Sequence, residues 1–169
     1  MLLDVSRALK SPGQSFPLQG TLTLNAMEVL NDKIQFEDIE LKGTFVGTVE
    51  SVKVTAHIVA RVKTRCSLCL GSVDQPIETD MEEVFARVPD PDSPDDHPLV
   101  GYKIDLTEPV RDALLLELPI QFSCKKDCLG LCPVCGVNRN EQLCTCQEGG
   151  KRLNPFSALS ELLIEDEEV

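Results

Sequence analysis

Eight cysteines are the residues of this chain whose type and spacing could do chemistry. Cys66 and Cys69 form a Cys-x2-Cys pair within Arg65-Cys66-Ser67-Leu68-Cys69. The others, Cys124, Cys128, Cys132, Cys135, Cys144 and Cys146, are compressed into Cys-x3-Cys-x3-Cys-x2-Cys-x8-Cys-x-Cys. Zinc takes four soft ligands in a tetrahedron, commonly from two tight turns that each present two thiolates. Cys132-Pro133-Val134-Cys135-Gly136 fits such a turn, because glycine after the second cysteine permits a tight backbone whose amides point at sulfur. Cys144-Thr145-Cys146, a tighter pair downstream, could complete that site. Cys66, Cys69, Cys124 and Cys128 then add up to a second site, which would join the two halves of the chain through metal. The alternative partition is one zinc with several free thiols, so the expectation is one or two Zn2+ per chain.

Other uses of cysteine fit less well. Met1-Leu2-Leu3-Asp4-Val5-Ser6 lacks a basic region and a long apolar run, so a secreted, disulfide-stapled protein is not expected. The apolar stretches are too short to cross a bilayer. The chain reads as soluble and cytoplasmic, without a membrane partner. Inert buried thiols would explain a lone cysteine, but not six in a short polar stretch. A catalytic zinc needs an open position and usually His or carboxylate ligands with a general base. His57 and His97, the only histidines, lie on a strand face and in a linker, outside any ligand pattern, and read as surface residues. No Gly-rich phosphate loop, nucleophile elbow or paired catalytic acid occurs. The reading is a protein that is not an enzyme and has no small-molecule substrate.

The elements that would position these cysteines follow from periodicity. The first ~30 residues mix short apolar stretches with turn signals at Ser11-Pro12-Gly13 and Asn25, which predicts short strands and loops. Ile34 and Phe36, then Ile39 and Leu41, alternate with a change of parity that predicts a bulge. Gly43 and Gly47 bracket Thr44-Phe45-Val46 as a bend or turn. Val52, Val54, Ala56, Ile58, Ala60, Val62, Thr64 and Cys66 share one parity, the signature of a half-buried strand. Because that run exceeds the usual ~5–6 residues, it is expected to bend or split. A second strand should return through Gln75 to Phe85. Val88 to Pro98 is acidic and proline-rich and reads as a mobile loop. Thr107 is placed as the cap of a helix with Val110, Ala113, Leu114 and Leu118 on one face, ended by Pro119. Asn154-Pro155 opens a further helix with a stripe of Phe156, Leu159 and Leu163, before an acidic tail.

Charge narrows the partners. The formal net charge is -12, which argues against general affinity for nucleic acid, since that binding is driven by Lys and Arg on phosphates. One local exception is the strand face of Lys53, His57, Arg61, Lys63 and Arg65, whose shared parity corresponds to a repeat of ~6–7 Å along the strand. Its ordinary explanation is cross-strand pairing with Glu37, Glu40, Glu78 or Glu82, and its functional one is contact with RNA or another partner by Lys53, Arg61, Lys63 and Arg65. The segment Cys124 to Arg152 is also slightly basic, but a zinc with four thiolates carries about -2 and would cancel the excess. Neither patch has the aromatic residues of a stacking platform for single strands.

The segment Cys124-Lys-Lys-Asp-Cys128-Leu-Gly-Leu-Cys132-Pro-Val-Cys135-Gly-Val-Asn138-Arg-Asn140 resembles the cysteine block of the YceD family. Leu3-Asp4-Val5-Ser6, Arg65-Cys66-Ser67-Leu68-Cys69-Leu70, Ile104-Asp105-Leu106, Leu114-Leu115-Leu116-Glu117-Leu118-Pro119 and Asn154-Pro155-Phe156 are similar landmarks across nearly the whole chain. Bacterial and plastid members are described as large ribosomal RNA subunit accumulation proteins. The resemblance implies a role in synthesis, processing or stability of large-subunit ribosomal RNA. Some members keep the first cysteine pair and lack most of the second cluster.

The expected architecture is α+β. Residues 1–88 form a β-rich sheet or barrel-like half with the first Cys-x2-Cys, 89–100 an acidic proline-rich linker, and 101–169 a helix plus a cysteine zinc knuckle with an acidic tail. The expected function is a zinc-binding bacterial factor for ribosome assembly. An acidic body would attract a basic ribosomal protein or a pre-ribosomal particle. The alternatives are a direct RNA-binding module and a zinc-thiol redox switch that releases metal on oxidation.

Overall fold

Strict alternation of buried and exposed residues governs the centre of the molecule. The computed structural model describes residues 1–29, 32–88 and 97–146. In chain order the elements are β1 (Leu2–Asp4), α1 (Ser6–Lys10), β2 (Ser15–Leu22), β3 (Met27–Val29), β4 (Asp32–Gly47), β5 (Ser51–Arg65), β6 (Ser72–Ala86), β7 (His97–Pro98), β8 (Lys103–Asp105) and α2 (Thr107–Leu116). The fold is therefore mostly β-sheet with two helices among the described residues, and its N-terminal half is β-rich. The main sheet runs β2-β4-β5-β6-β7, with β3 beside β4, and β1 pairs with β8 in a separate ribbon. No described pairing closes this path into a barrel.

On β5 the even-numbered residues from Val52 to Thr64 are buried and the odd-numbered ones from Lys53 to Arg65 are exposed. The strand does not split. It pairs with β4 on one side and β6 on the other along nearly all of its 15 residues, so the two ladders hold the backbone extended. The change of parity on β4 is a bulge: the register slips between Glu37 and Glu40, and Asp38 takes φ 50°. Asp is one of the few side chains that accept this left-handed conformation.

Gly43 and Gly47 mark no turn, because β4 runs through both. A Cβ on Gly43 would stand 2.1 Å from the Thr55 carbonyl oxygen, and one on Gly47 would stand 2.5 Å from the Ala8 backbone. These glycines allow close approach of β5 and of α1. The latter is a five-residue helix that short-range pattern did not reveal. The core lies on one side of the sheet, where Val5, Ala8, Leu41, Ile58, Val62, Phe85, Ile104, Leu106, Val110 and Leu114 join one apolar cluster.

The α2 helix starts at Thr107, which is its first residue and not its cap. The N-cap position is Leu106, which has no side-chain cap, and Asp105 just before it holds the first turn: its Oδ1 accepts from the Thr107 amide at 3.0 Å and from the Thr107 hydroxyl at 2.6 Å. Val110 and Leu114 are buried, and the helix ends before Pro119. His97 is not in a free loop. It pairs in parallel with Phe85, lies tilted against that ring with centroids 5.2 Å apart and approaches Glu83 at 3.4 Å. The remainder of the acidic loop reading (89–96) and the helix at Asn154-Pro155 lie outside the described residues. Two compact units result, Met1–Cys128 and Leu129–Val169. No helix among the described residues is long and apolar enough to cross a membrane.

Candidate metal centres

The first centre belongs to the Met1–Cys128 unit. Strand β5 delivers Cys66 at its end, where the Cys66 amide donates to the Gly71 carbonyl at 2.7 Å and the Leu70 amide donates to the Cys66 carbonyl at 2.9 Å. Leu70 takes φ 60° to complete the turn. The segment with Cys124 and Cys128 is tied to that turn: the Ser67 amide donates to the Phe122 carbonyl at 2.8 Å, and the Phe122 amide donates to Ser67 Oγ at 3.2 Å. As a result Cys66 Sγ lies 3.8 Å from Cys128 Sγ, and Cys69 Sγ 3.6 Å from Cys124 Sγ. All four sulfurs fall within 4.8 Å of one another. Cys66 and Cys69 are buried, Cys128 is partly so and Cys124 is exposed.

The second centre belongs to the Leu129–Val169 unit and gathers Cys132, Cys135, Cys144 and Cys146 within the same 4.8 Å limit. Gly136, at φ 73°, donates its amide to the Cys132 carbonyl at 2.8 Å, and the Cys132 amide donates to the Val137 carbonyl at 2.8 Å. A bridge between Leu131 and Asn138 closes the base of the knuckle. Two asparagines then fix the returning chain. Asn138 Oδ1 accepts from the Asn140 amide at 3.1 Å, while Asn140 Oδ1 accepts from the Leu129 amide at 3.1 Å. Only Cys132 of this set is buried.

The electrostatics of the two sets run in parallel. Burial pushes the Cys66 thiol up, but the amides of Cys69, Cys124 and Leu68 aimed at its sulfur outweigh this and take it down to about 6. Cys124 is pushed up to about 12, first by Cys69 and Cys128 beside it. In the second set the amides of Cys135 and Val134 bring Cys132 down to about 6, while Cys135 holds Cys146 up at about 11. Each centre thus has one thiol shifted down towards the thiolate, Cys66 or Cys132, and two shifted up beside it, Cys69 and Cys124 in the first and Cys144 and Cys146 in the second. A dication removes that repulsion and lets the remaining thiols ionise.

The donor sets fit zinc. With a Zn–S bond of about 2.3 Å, the edges of a sulfur tetrahedron are about 3.8 Å. The separations of 3.6 and 3.8 Å in the first centre match this and far exceed a disulfide's length of about 2.05 Å. Cys66, Cys69, Cys124 and Cys128 would hold one ion, and Cys132, Cys135, Cys144 and Cys146 another. Four thiolates fill a tetrahedron and leave no position for a reactive water.

The basic strand face is engaged within the sheet. Lys53 pairs with Glu82 at 2.5 Å, Arg61 with Asp74 at 2.7 Å and Lys63 with Glu37 at 2.5 Å. His57 lies 2.8 Å from Asp80 and 3.9 Å from Glu78. Glu40 turns instead to Lys42 of its own strand, at 3.3 Å. Arg65 is exposed at the end of β5, beside Cys66. Ser67, Phe122, Asn138 and Asn140 were not legible as positioning residues. The Asn-x-Asn spacing was the one available signal, since asparagine readily bonds nearby backbone.

Comparison with known proteins follows the same lines. The profile of the family described as Large ribosomal RNA subunit accumulation protein YceD matches residues 54–163, a span holding all eight cysteines. An uncharacterized protein of Mycobacterium tuberculosis is 33% identical over 162 residues, covering 85% of this chain and 76% of its own. The uncharacterized protein YlbN of Bacillus subtilis is 28% identical over 162 residues and covers 93% of each chain. The chloroplastic Large ribosomal RNA subunit accumulation protein YCED homolog 1 of Arabidopsis thaliana is 34% identical over 67 residues, 38% of this chain and 21% of its own. No solved structure matches the chain. The profile match, which spans more than half of the chain, carries the conclusion that the chain belongs to the YceD family.

Proposed function

We propose that this chain is a non-enzymatic zinc protein that supports accumulation of large-subunit ribosomal RNA by holding a basic ribosomal protein during assembly of the large subunit in the bacterial cytoplasm. The observation that carries this reading is the pair of four-cysteine centres in a YceD-family chain. All-thiolate zinc is closed to substrate, so its role is to hold the chain in shape and not to react. The net charge of -12 favours a basic partner. Direct RNA contact through the strand face draws less support, because Lys53, Arg61 and Lys63 already face carboxylates of their own sheet.

The test is a subunit profile of cells depleted of the protein, with both ribosomal RNAs quantified. A selective fall in large subunits and their RNA is expected, and balanced subunits would remove the assembly reading. Replacing Lys53, Arg61, Lys63 and Arg65 with Glu should leave association with pre-ribosomal particles intact. Loss of association with zinc content unchanged would transfer the function to RNA binding.

A further inference from the structure

Strand β6 pairs with β5 along its whole length, but on its other side, among the described residues, it pairs only with β7, at Phe85 and Ala86. The direction of its backbone groups is set at both ends. The Gly71 carbonyl accepts from Cys66 on the β5 side, and the Arg87 amide donates to the Glu50 carbonyl on that side too. The Ala86 carbonyl faces the other way and accepts from the Leu99 amide at 2.8 Å. N–H and C=O of one residue point the same way along an antiparallel strand and alternate from residue to residue. The β5–β6 register has no slip, so the odd-numbered residues face β5. The amides and carbonyls of Glu78, Asp80 and Glu82 face outward, where they have no backbone partner among the described residues.

Pro76 falls in the outward-facing phase, opposite Arg61, where its missing N–H takes nothing from the ladder. Helix α2 packs against β6, and its Val110 and Leu114 are buried in the core. The edge itself is strongly acidic. Between Ser72 and Ala86 it carries Asp74, Glu78, Asp80, Glu82 and Glu83 and no Lys or Arg. Arg61 and Lys53 offset Asp74 and Glu82. Glu78 and Asp80 share one imidazole, His57, which is cationic only when protonated, and their side chains are 63% and 87% exposed. These two exposed carboxylates therefore lie beside outward groups of β6 that lack a backbone partner among the described residues.

We infer that this edge of β6, centred on Glu78, Asp80 and Glu82, is a strand-addition site for an extended Lys/Arg-rich segment of a protein partner. The inference deepens the proposed contact with a basic protein and rests on it. An added strand lies about 4.8 Å away and bonds to every outward N–H and C=O. Basic side chains in that strand would stand beside Glu78, Asp80 and Glu82, where opposite charges across strands stabilise. The same charge selects the occupant. A second copy of β6 would set carboxylates against carboxylates, a like-charge pairing that disfavours self-association at an open edge.

The experiment uses the full-length zinc-loaded protein and an eight-residue peptide of alternating Lys and Val. Saturable binding is expected, with slowed hydrogen exchange at the amides of Glu78, Asp80 and Glu82. A peptide methylated at alternate backbone nitrogens keeps the charge and should bind roughly tenfold more weakly, as should the variant Asp80→Pro compared with Asp80→Asn. Equal binding of the methylated peptide, or protection elsewhere, would mean charge attraction alone and overturn the proposal. So would protection of these amides without peptide in a protein that sediments as a dimer. In cells, Glu78→Lys with Asp80→Lys should reproduce the large-subunit deficit of depletion. A deficit on depletion but normal subunits in the variant would reject the edge and leave the assembly function standing. Peptide binding as expected with balanced subunits on depletion would reject the assembly function and retain the edge.

Discussion

Ser67 and Phe122 exchange two hydrogen bonds, amide to carbonyl at 2.8 Å and amide to hydroxyl at 3.2 Å, across 55 residues of chain. They connect the Cys66 turn to the segment bearing Cys124 and Cys128, so the first centre is held by backbone as well as by its ligands. Ser67→Ala removes the hydroxyl acceptor and leaves the part-buried Phe122 amide unpaired, at about 1 kcal/mol. Denaturant unfolding should show that loss, with metal content unchanged and faster transfer of metal to a chelator. Unaltered transfer would mean that the thiolates alone position this segment.

The two centres differ in cover. Cys66 and Cys69 are buried, whereas in the second set only Cys132 is. Two zinc equivalents per chain are expected by elemental analysis. A chelator should remove the ion at Cys132, Cys135, Cys144 and Cys146 first, leaving the Met1–Cys128 unit folded by circular dichroism. Cys132→Ser with Cys135→Ser should lower the content to one equivalent. Release of both ions in a single phase would argue against independent centres.

Asp105 links the start of α2 to the amino terminus of the chain. The Thr107 hydroxyl, the Met1 ammonium and the Thr107 amide, in that order, hold its carboxyl down at about 2, below its ordinary 3.8. A carboxyl depressed in the folded state stabilises fully above its unfolded value and loses that contribution as pH falls through its folded value. Asp105→Ala should cost about 1 kcal/mol near neutral pH, as for loss of a helix cap. The gap from wild type should persist down to about pH 4 and close towards pH 2. A gap that closes already at pH 6, measured by urea unfolding at each pH, would assign the effect to another group.

Gly43 permits the contact of β4 with β5. An added Cβ would meet the Thr55 carbonyl oxygen at 2.1 Å and Ala56 Cα at 2.6 Å, both on backbone that cannot swing aside. Gly43→Ala should therefore destabilise by about 1–3 kcal/mol, the range for overpacking. A loss of stability within error of zero would show that the two strands separate freely at this point.

Some features were readable from the order of residues because they depend on neighbours only. A thiolate knuckle needs two cysteines and a permissive glycine within a few positions, and the alternation from Val52 to Cys66 shows a half-buried strand without reference to its partners. The β4 bulge was visible as a change of parity, and family membership as a run of landmarks. Other features depend on residues far apart in the chain. Cys66 meets Cys128 across 62 residues, so which sulfurs converge is a property of the folded unit. Gly43 and Gly47 resembled turn residues until the close passage of β5 and α1 accounted for them. The cations of β5 allowed both cross-strand pairing and RNA contact, and the registers of β4 and β6 decided which carboxylates Lys53, Arg61 and Lys63 meet. Local pattern encodes what each residue can do. Long-range pairing decides which partner each side chain meets, because the register of one strand against another sets every cross-strand neighbour at once.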